Sequence, residues 1–187
     1  MKLLLYCTKA KPYITKAQNR PLFYPSCVIS DGIKEWHLNG KIIAECDFEV
    51  EEIESPNSNS DFSYILSMQD KIQEVCSNSC LTKEQLFDYV KWNKEFYAIH
   101  IKNLHIFDKS RELSEYKYHK DNHECYFSLG NAPQNMMYCY EWNGSYYEKK
   151  ILISIRPEWL CKILNREKTI EVRKKVLKEV LINEGRA

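Results

Sequence analysis

A stretch near the C-terminus, residues 151–173, restricts the possible folds of this chain more than any other part of the sequence. Its first five residues are three isoleucines, one leucine and one serine, which predicts a short buried strand. Pro157 follows, and it suits the first turn of a helix because the N–H that proline lacks would have no partner there. We therefore predict a strand and then a helix whose inner face carries apolar side chains (Trp159, Ile163, Leu160 and Leu164).

A turn at Asn165 and Arg166 is predicted to lead into a second extended run, residues 168–173. In a strand, alternate side chains point to opposite faces. Lys168, Ile170 and Val172 then share one face, and Thr169, Glu171 and Arg173 share the other. The second set places a carboxylate beside a guanidinium, which suits a polar ligand. An ordinary surface salt bridge, which stabilises little, explains the same pattern, and periodicity alone favours it.

Composition predicts one globular domain that covers residues 1–187, with no linker and no internal repeat. Its 27 basic and 26 acidic residues give a net charge of +1, so any nucleic-acid binding has to use a local patch. The 13 tyrosines and four tryptophans suit both a β-rich core and a base-stacking surface.

The cysteines and the N-terminus predict a cytoplasmic protein that does not enter a membrane. The N-terminal apolar run is too short for a signal peptide, and no stretch approaches a membrane span. Without an export signal, eight cysteines are expected to be reduced thiols (Cys7, Cys27, Cys46, Cys76, Cys80, Cys125, Cys139 and Cys161). Cys76 and Cys80 with His119 and His123 have a spacing that zinc sites tolerate, but nothing forces the two pairs together, so we expect no metal.

Apolar periodicity predicts an α+β protein. Strands are expected near residues 2–9, 41–54, 96–107 and 135–142, and helices near 69–76 and 82–92. Residues 82–85 resemble a capping box. The acidic side chains of residues 45–54 are expected on a solvated face of their strand, and His100 is expected to be a buried, hydrogen-bonded histidine rather than a ligand group.

Two short segments resemble the signature of the ASCH domain, a member of the PUA-like superfamily. They are Ser-Ile-Arg-Pro-Glu from residue 154 and Arg-Glu-Lys-Thr-Ile-Glu-Val-Arg from residue 166. The family pattern is Gly-x-Lys-x-x-Glu-x-Arg, so Lys168, Glu171 and Arg173 match, and Arg166 stands where the family has glycine. If that position needs a positive φ, the turn must differ here.

Further segments extend the resemblance over most of the chain. They are Tyr-Cys-Thr-Lys from residue 6, Gly-Lys-Ile-Ile-Ala-Glu from residue 40, residues 97–104, residues 108–113 and Ala-Pro-Gln from residue 132. The resemblance implies a small PUA-like β-barrel with flanking helices.

The order of these segments differs from that of the relatives, in which the signature comes first. We interpret the difference as a circular permutation: residues 1–140 are the family's middle and tail, 141–150 a new connector, and 151–187 the family's head. Permutation is physically acceptable because domain termini are often close together. The alternative is a truncated second copy whose C-terminal segment completes a neighbouring molecule, so a monomer and a domain-swapped dimer both remain open.

The resemblance implies a cleft that binds RNA or a modified nucleotide. Lys168, Glu171 and Arg173 are the first candidates for this cleft, because arginine and lysine contact phosphate or base edges and a carboxylate accepts from an exocyclic amine. A structural salt-bridge network is an equally good reading of the three. The further candidates are Arg156, Thr8, Lys9, Tyr6 and Gln134. An aromatic side chain among apolar neighbours, such as Tyr6 or Trp159, more often belongs to the core.

Two other functions remain open. Some relatives resemble amidohydrolases or ribonucleases, and Lys168 with Glu171 would then act as acid and base. However, Glu171 stands where the nucleophilic threonine is expected, and the sequence has no P-loop, dinucleotide fingerprint or nucleophile elbow, so no cofactor is implied. The third possibility is a phage-encoded protein-interaction module. A dry Lys–Glu pair would favour an enzyme, and a basic rim around the cleft would favour nucleic-acid binding. An exposed apolar patch with an acidic surface would favour a protein partner.

Overall fold

The chain has an α+β fold. The computed structural model describes residues 1–8, 13–14, 21–22, 27–28, 35–36, 40–54, 62–90, 95–119 and 125–182. The strands are β1 Lys2–Cys7, β2 Tyr13–Ile14, β3 Pro21–Leu22, β4 Cys27–Val28, β5 Glu35–Trp36, β6 Ile42–Ile53, β7 Phe96–Arg111, β8 Lys117–His119, β9 Tyr126–Ser128, β10 Met136–Trp142, β11 Tyr147–Ile155 and β12 Ile170–Arg173. The helices in these ranges are α1 Phe62–Ser79, α2 Lys83–Val90, α3 Pro157–Leu164 and α4 Lys178–Ile182, with a 3₁₀ turn at Leu113–Glu115.

Eight of the strands form one mixed sheet in the order β12-β7-β6-β1-β11-β10-β8-β9. The sheet is not closed, because the end strands β12 and β9 do not pair with each other in the described part of the chain. The α+β prediction is therefore confirmed, and the predicted barrel is not. The short strands form two separate pairs, β2 with β3 and β4 with β5.

The chain divides into two compact units, each made of two chain segments. Unit 1 comprises residues 1–47 and 103–165, and unit 2 comprises residues 48–102 and 166–187. Strands β6 and β7 each contribute residues to both units, so neither unit corresponds to a continuous stretch of sequence.

Unit 1 is built around β1 and β11. These strands are parallel, with Leu3 opposite Ile151, and β6 pairs antiparallel with the other edge of β1. The first part of the sequence prediction is thereby confirmed: residues 151–155 are buried, and Pro157 begins α3. The core of this unit collects large side chains from five strands and the adjoining loops (Leu4, Tyr6, Ile42, Phe107, Tyr116, Leu129, Cys139 and Leu152).

Residues 141–150, the predicted connector, form the end of a β-hairpin between β10 and β11. Trp142 lies opposite Tyr147 in the register of this pair. The turn is held by the Asn143 side chain, whose Oδ1 accepts hydrogen bonds of 3.0 Å from the backbone N–H groups of residues 145 and 146. Gly144 has φ +99°, a conformation that glycine adopts without a steric penalty.

Unit 2 contains α1, α2, β12 and α4 together with parts of β6 and β7. Strand β12 pairs antiparallel with β7, and Val172 lies opposite Ala98. The core combines one face of this pair with the end of β6 and the two helices (Ile53, Ile72, Val75, Cys76, Leu86, Val90, Phe96, Ala98, Ile170 and Val172). The predicted capping box is confirmed, because Thr82 N–H donates to Gln85 Oε1 at 3.0 Å and Gln85 N–H donates to Thr82 Oγ1 at 3.2 Å.

Two sequence predictions differ from the structure in this fold. Helix α1 begins at Phe62 and ends at Ser79, so it is longer than the short helix predicted near residues 69–76. Cys161 is disulfide-bonded, so the prediction that all eight cysteines are reduced is wrong for this residue. The pairing of cysteines depends on the approach of their Cβ atoms, which sequence spacing does not reveal. Six others are free thiols (Cys7, Cys46, Cys76, Cys80, Cys125 and Cys139).

Among the described residues, no helix combines the length and the apolar character that crossing a bilayer requires.

Candidate functional site

The three charged residues of the signature form one connected ion triad in unit 2. Glu171 lies between the two cations: its Oε2 is 3.3 Å from Lys168 Nζ, and its Oε1 is 2.9 Å from Arg173 Nη2. Lys168 Nζ also donates a hydrogen bond of 2.9 Å to the carbonyl oxygen of Ser79, at the end of α1. Each group of the triad therefore has an oppositely charged neighbour.

The position of Lys168 differs from the alternation predicted for residues 168–173. Strand β12 begins only at Ile170, so Lys168 precedes the strand. Its side chain therefore does not have to follow the alternation of side chains along the strand. Its side chain therefore meets Glu171, which the sequence had assigned to the opposite face. Within the strand the alternation holds for Ile170 and Val172, which both enter the core of unit 2.

The triad is largely shielded from solvent. Lys168 is 3% exposed and Glu171 8% exposed. Burial lowers the pKa of the Lys168 ammonium below its usual value, and the Glu171 carboxylate opposes that shift. Burying charges costs several kcal/mol per ion unless close partners offset it, and in this triad Glu171 neutralises only one of two cations.

Arg166, at the glycine position of the signature, adopts a left-handed backbone conformation with φ +62°. The position therefore does need the positive φ that glycine adopts freely, and the side chain of this chain's arginine is exposed there. An L-residue with a Cβ in this conformation is strained by about 1–2 kcal/mol.

Substituting Arg166→Gly is expected to raise the free energy of unfolding by about 0.5–1 kcal/mol, since the relief of strain exceeds the greater freedom of glycine in the unfolded chain. Urea denaturation monitored by circular dichroism measures the difference. Arg166→Ala, which removes the charge but keeps the Cβ, is the matched control and should leave stability nearly unchanged. A glycine variant no more stable than the alanine variant would contradict the strain argument.

Thr8 and Arg156 lie at the same end of two neighbouring strands in unit 1. They follow β1 and β11 directly, and these parallel strands are in register with Cys7 opposite Ile155. The N–H of Thr8 donates to the carbonyl of Ile155 at 2.9 Å. Arg156 is exposed and occupies the N-cap position of α3.

Gln134 lies close to the same strand end. The two motifs that the resemblance places at opposite ends of the family's chain are joined by hydrogen bonds: Ser154 Oγ donates to the carbonyl of Pro133 at 2.6 Å, and Ser154 N–H donates to the carbonyl of Asn135 at 3.0 Å. Gln134 is exposed between these two acceptor residues. The structure thus gathers Thr8, Gln134 and Arg156 in unit 1, and the ion triad in unit 2.

The other candidates are placed differently. Tyr6 is 5% exposed and belongs to the core of unit 1, so its ring has no open face for a base. Trp159 is half-buried on α3, with Lys162 Nζ 5.1 Å from its ring centroid. Lys9 lies outside the described residues. His100 is hydrogen-bonded through Nε2 to Glu51 Oε2 at 3.1 Å, as predicted, but its side chain is only partly buried.

The acidic side chains of β6 are paired with cations rather than simply solvated. In unit 1, Asp47 Oδ1 lies 2.9 Å from Lys2 Nζ. In unit 2, Glu51 Oε2 lies 2.7 Å from Lys71 Nζ, and Glu49 Oε1 lies 2.5 Å from Lys102 Nζ. Cations from β1, β7 and α1 therefore offset the charge of these three carboxylates.

A buried cation that the sequence did not reveal lies in unit 1. Lys150 is 6% exposed, and its Nζ is 3.0 Å from Glu45 Oε2 and 2.6 Å from Glu141 Oε2. Burial works to lower the pKa of Lys150, but the carboxylates of Glu141 and Glu45 outweigh it and hold the pKa above its usual value. Arg111 adds hydrogen bonds to Glu141 and, at 3.1 Å, to Tyr116 Oη. Only the strand register brings these residues together, so no local pattern could have identified them.

Within the described ranges, no group of three or more His, Cys, Asp and Glu side chains is arranged to hold a metal ion. Cys76 and Cys80 lie at the end of α1 in unit 2, and His119 lies on β8 in unit 1. His123 is outside the described residues.

Comparison with protein-family models, with curated proteins and with solved structures found no match to this chain.

Proposed function

We propose that the protein binds nucleic acid, and that its ligand is RNA or a modified nucleotide held through the signature residues. The observation that carries this proposal is the gathering of Thr8, Gln134 and Arg156 at one strand end in unit 1. Carboxyl ends of parallel strands that lead into a helix N-terminus are common phosphate sites, because backbone N–H groups and the helix dipole favour an anion there. An exposed arginine at that point adds a bidentate phosphate donor.

The ion triad of unit 2 supports the proposal independently. Apolar side chains could fill the space of a buried Lys–Glu–Arg network without the desolvation cost, and some proteins retain such a network for specificity. Perturbed lysines beside a specific charge partner are also more frequent at functional sites than elsewhere.

We further propose the PUA-like class and the circularly permuted order for this chain. The permuted order is supported by the place of β11, which pairs with β1 on one side and β10 on the other. A strand with both edges filled inside its own chain does not need to complete a neighbouring molecule, so we favour a monomer over a domain-swapped dimer. We also propose a cytoplasmic location, because six described cysteines are free thiols, although the disulfide at Cys161 is unusual in that compartment.

The proposal predicts that Arg156→Glu weakens the binding of a short single-stranded RNA at least tenfold, because one phosphate donor becomes a repulsive charge. The slope of log K against log salt should also become shallower, by the amount that about one phosphate contact contributes. Fluorescence anisotropy at several salt concentrations measures both quantities.

The control is Lys109→Glu, which makes the same change in net charge at an exposed position of β7 in the same unit. Its affinity should stay within about threefold of the wild type, since Lys109 does not belong to the strand-end group and salt screens an exposed charge. Equal losses in the two variants would mean that only net charge matters, and the assignment of Arg156 would be wrong.

Hydrolysis by Lys168 and Glu171 is a second candidate, because this pair is dry and the Lys168 pKa is lowered. Binding is the better supported of the two. Glu171 occupies the place of the family's nucleophile and is engaged with both cations, while Thr169, the nearest hydroxyl in sequence, is exposed. Release of cytidine from acylated cytidines by the wild type, lost in Lys168→Met, would favour the enzyme.

A further inference from the structure

Four strands of unit 1 present tyrosines, a tryptophan and lysines on a single face. Register settles which side chains share it, because residues opposite each other in antiparallel strands point to the same side. Tyr140 lies opposite Lys149 of β11 and also opposite Lys117 of β8. By the same register, Trp142 lies opposite Tyr147 and His119 lies opposite Tyr126. We call the surface formed by these seven residues the aromatic face (Lys117, His119, Tyr126, Tyr140, Trp142, Tyr147 and Lys149).

The rings of the aromatic face touch one another across the strands. Tyr126 stacks on Tyr147, with centroids 4.1 Å apart and planes 23° apart. Tyr140 meets Tyr126 edge to face at 5.1 Å, and Trp142 meets Tyr147 edge to face at 5.1 Å. The result is a continuous aromatic surface fixed on a β-sheet, so little conformational entropy remains to be lost when a planar ligand binds.

This surface is open to solvent. Trp142 is 55% exposed and Tyr126 is 37% exposed. Soluble proteins rarely leave clustered large apolar side chains exposed without a binding role. The cluster is therefore unlike the aromatic core that the tyrosine content also suggested.

The charges on the two faces of the hairpin formed by β10 and β11 select the kind of ligand. Glu141 and Glu148 lie opposite each other on the reverse face, where both are within 3.9 Å of Lys150 Nζ. On the aromatic face, the charged residues of β8, β9, β10 and β11 are Lys117 and Lys149. Lys149 Nζ lies 3.8 Å from the centroid of the Tyr138 ring. Two lysines interleaved with exposed rings match a polyanion that carries planar bases.

We propose that the aromatic face binds single-stranded nucleic acid, with bases stacking on Trp142, Tyr126 and Tyr147 and with Lys117 and Lys149 near the phosphates. The nucleic acid must be single-stranded, because bases within a duplex stack on each other. Splayed bases of a single strand can instead stack on aromatic side chains. The inference rests on the proposed function for the class of ligand, but it assigns binding to a surface that the signature does not include.

The test compares an oligouridine RNA with an abasic oligonucleotide that has the same number of phosphates. Both probes have about 12 nucleotides, a length within the site sizes of single-strand binders. Wild-type protein should bind oligouridine at least tenfold more tightly than the abasic probe. Trp142→Ala should lose about tenfold for oligouridine and little for the abasic probe, because only the stacking contact is removed. Trp142→Tyr keeps a ring and should recover most of the affinity.

Tyr89→Ala is the matched aromatic control, because Tyr89 is 39% exposed but lies on α2 in unit 2. It should bind both probes as the wild type does. Lys149→Glu is a second variant that leaves every ring in place, and it should weaken both probes. Far-ultraviolet circular dichroism and urea midpoints close to wild type establish that the variants are folded.

The outcomes separate this inference from the proposed function. If the abasic probe binds as well as oligouridine and Trp142→Ala changes neither, the aromatic face is not a base-stacking site and a protein partner becomes its better occupant. Nucleic-acid binding sensitive to Arg156→Glu would survive that result. Loss in Trp142→Ala without loss in Arg156→Glu would support the aromatic face and overturn the signature site. No binding by the wild type would overturn both.

Discussion

Replacing Glu171 by alanine is expected to lower the free energy of unfolding by about 3–5 kcal/mol, the cost of breaking a buried ion pair by removing one partner. Glu171 is the only carboxylate in the triad, and it lies within 3.3 Å of Lys168 and 2.9 Å of Arg173. Without it, two shielded cations remain side by side, and burial already lowers the pKa of Lys168. A loss of this size is a large fraction of the total stability of a typical domain.

Urea denaturation of the wild type and Glu171→Ala measures this loss. Glu49→Ala is the matched control, because it removes an ion pair to Lys102 in the same unit whose side chains are 62% and 50% exposed. An exposed pair contributes about 1 kcal/mol at most, since water screens it. If the two variants lose the same small amount of stability, water reaches the triad freely and the triad is not shielded.

Raising the pH above 9 is expected to destabilise the protein steeply, because three thiols in unit 1 must remain neutral to stay buried. Cys7, Cys46 and Cys139 are fully buried, and burial raises the pKa of each thiol from 9.0 to about 12. In the unfolded chain the same thiols ionise near their ordinary pKa. The folded state therefore holds more protons between about pH 9 and pH 12, and stability falls as pH rises through that window.

The expected loss is about 1.4 kcal/mol per pH unit for each thiol, or about 4 kcal/mol per pH unit for three. Burial raises the pKa of Tyr116 as well, which adds to the fall at higher pH. Lys168 acts in the opposite direction, because its lowered pKa makes the unfolded state hold the extra proton up to about pH 10.5. One opposing group does not balance three thiols, so the free energy of unfolding is expected to fall by several kcal/mol between about pH 9 and pH 11.

Urea midpoints at a series of pH values measure this dependence. A variant with alanine at all three positions should be less stable at neutral pH, because small cavities replace the sulfur atoms, but its stability should fall less above pH 9. A triple variant with the same slope as the wild type would show that other groups cause the alkaline unfolding.

The sequence predicted the parts of the fold that local signals determine. The isoleucine-rich strand, Pro157 at the start of α3 and the capping box at Thr82 each depend on neighbouring residues, and each is confirmed. The resemblance to the ASCH signature, which has glycine at the position of Arg166, indicates a positive φ there, and Arg166 has a φ of +62°.

The rest depends on contacts that sequence spacing does not encode. The parallel pairing of β1 with β11 joins residues about 150 positions apart, and it alone gathers Thr8 with Arg156. The aromatic face combines β8, β9, β10 and β11, so composition showed many tyrosines but not their common face. Closure into a barrel requires the two end strands to pair, and no local pattern requires that.

The most direct test of nucleic-acid binding is the affinity of the wild-type protein for single-stranded RNA of about 12 nucleotides across roughly 50 to 200 mM salt. The account predicts saturable binding whose log K falls linearly with log salt, with a slope of about −2, as expected for three phosphate contacts by Arg156, Lys117 and Lys149. Absence of saturable binding at the lowest salt, for RNA and for single-stranded DNA alike, would contradict the account and leave the ion triad as a purely structural network.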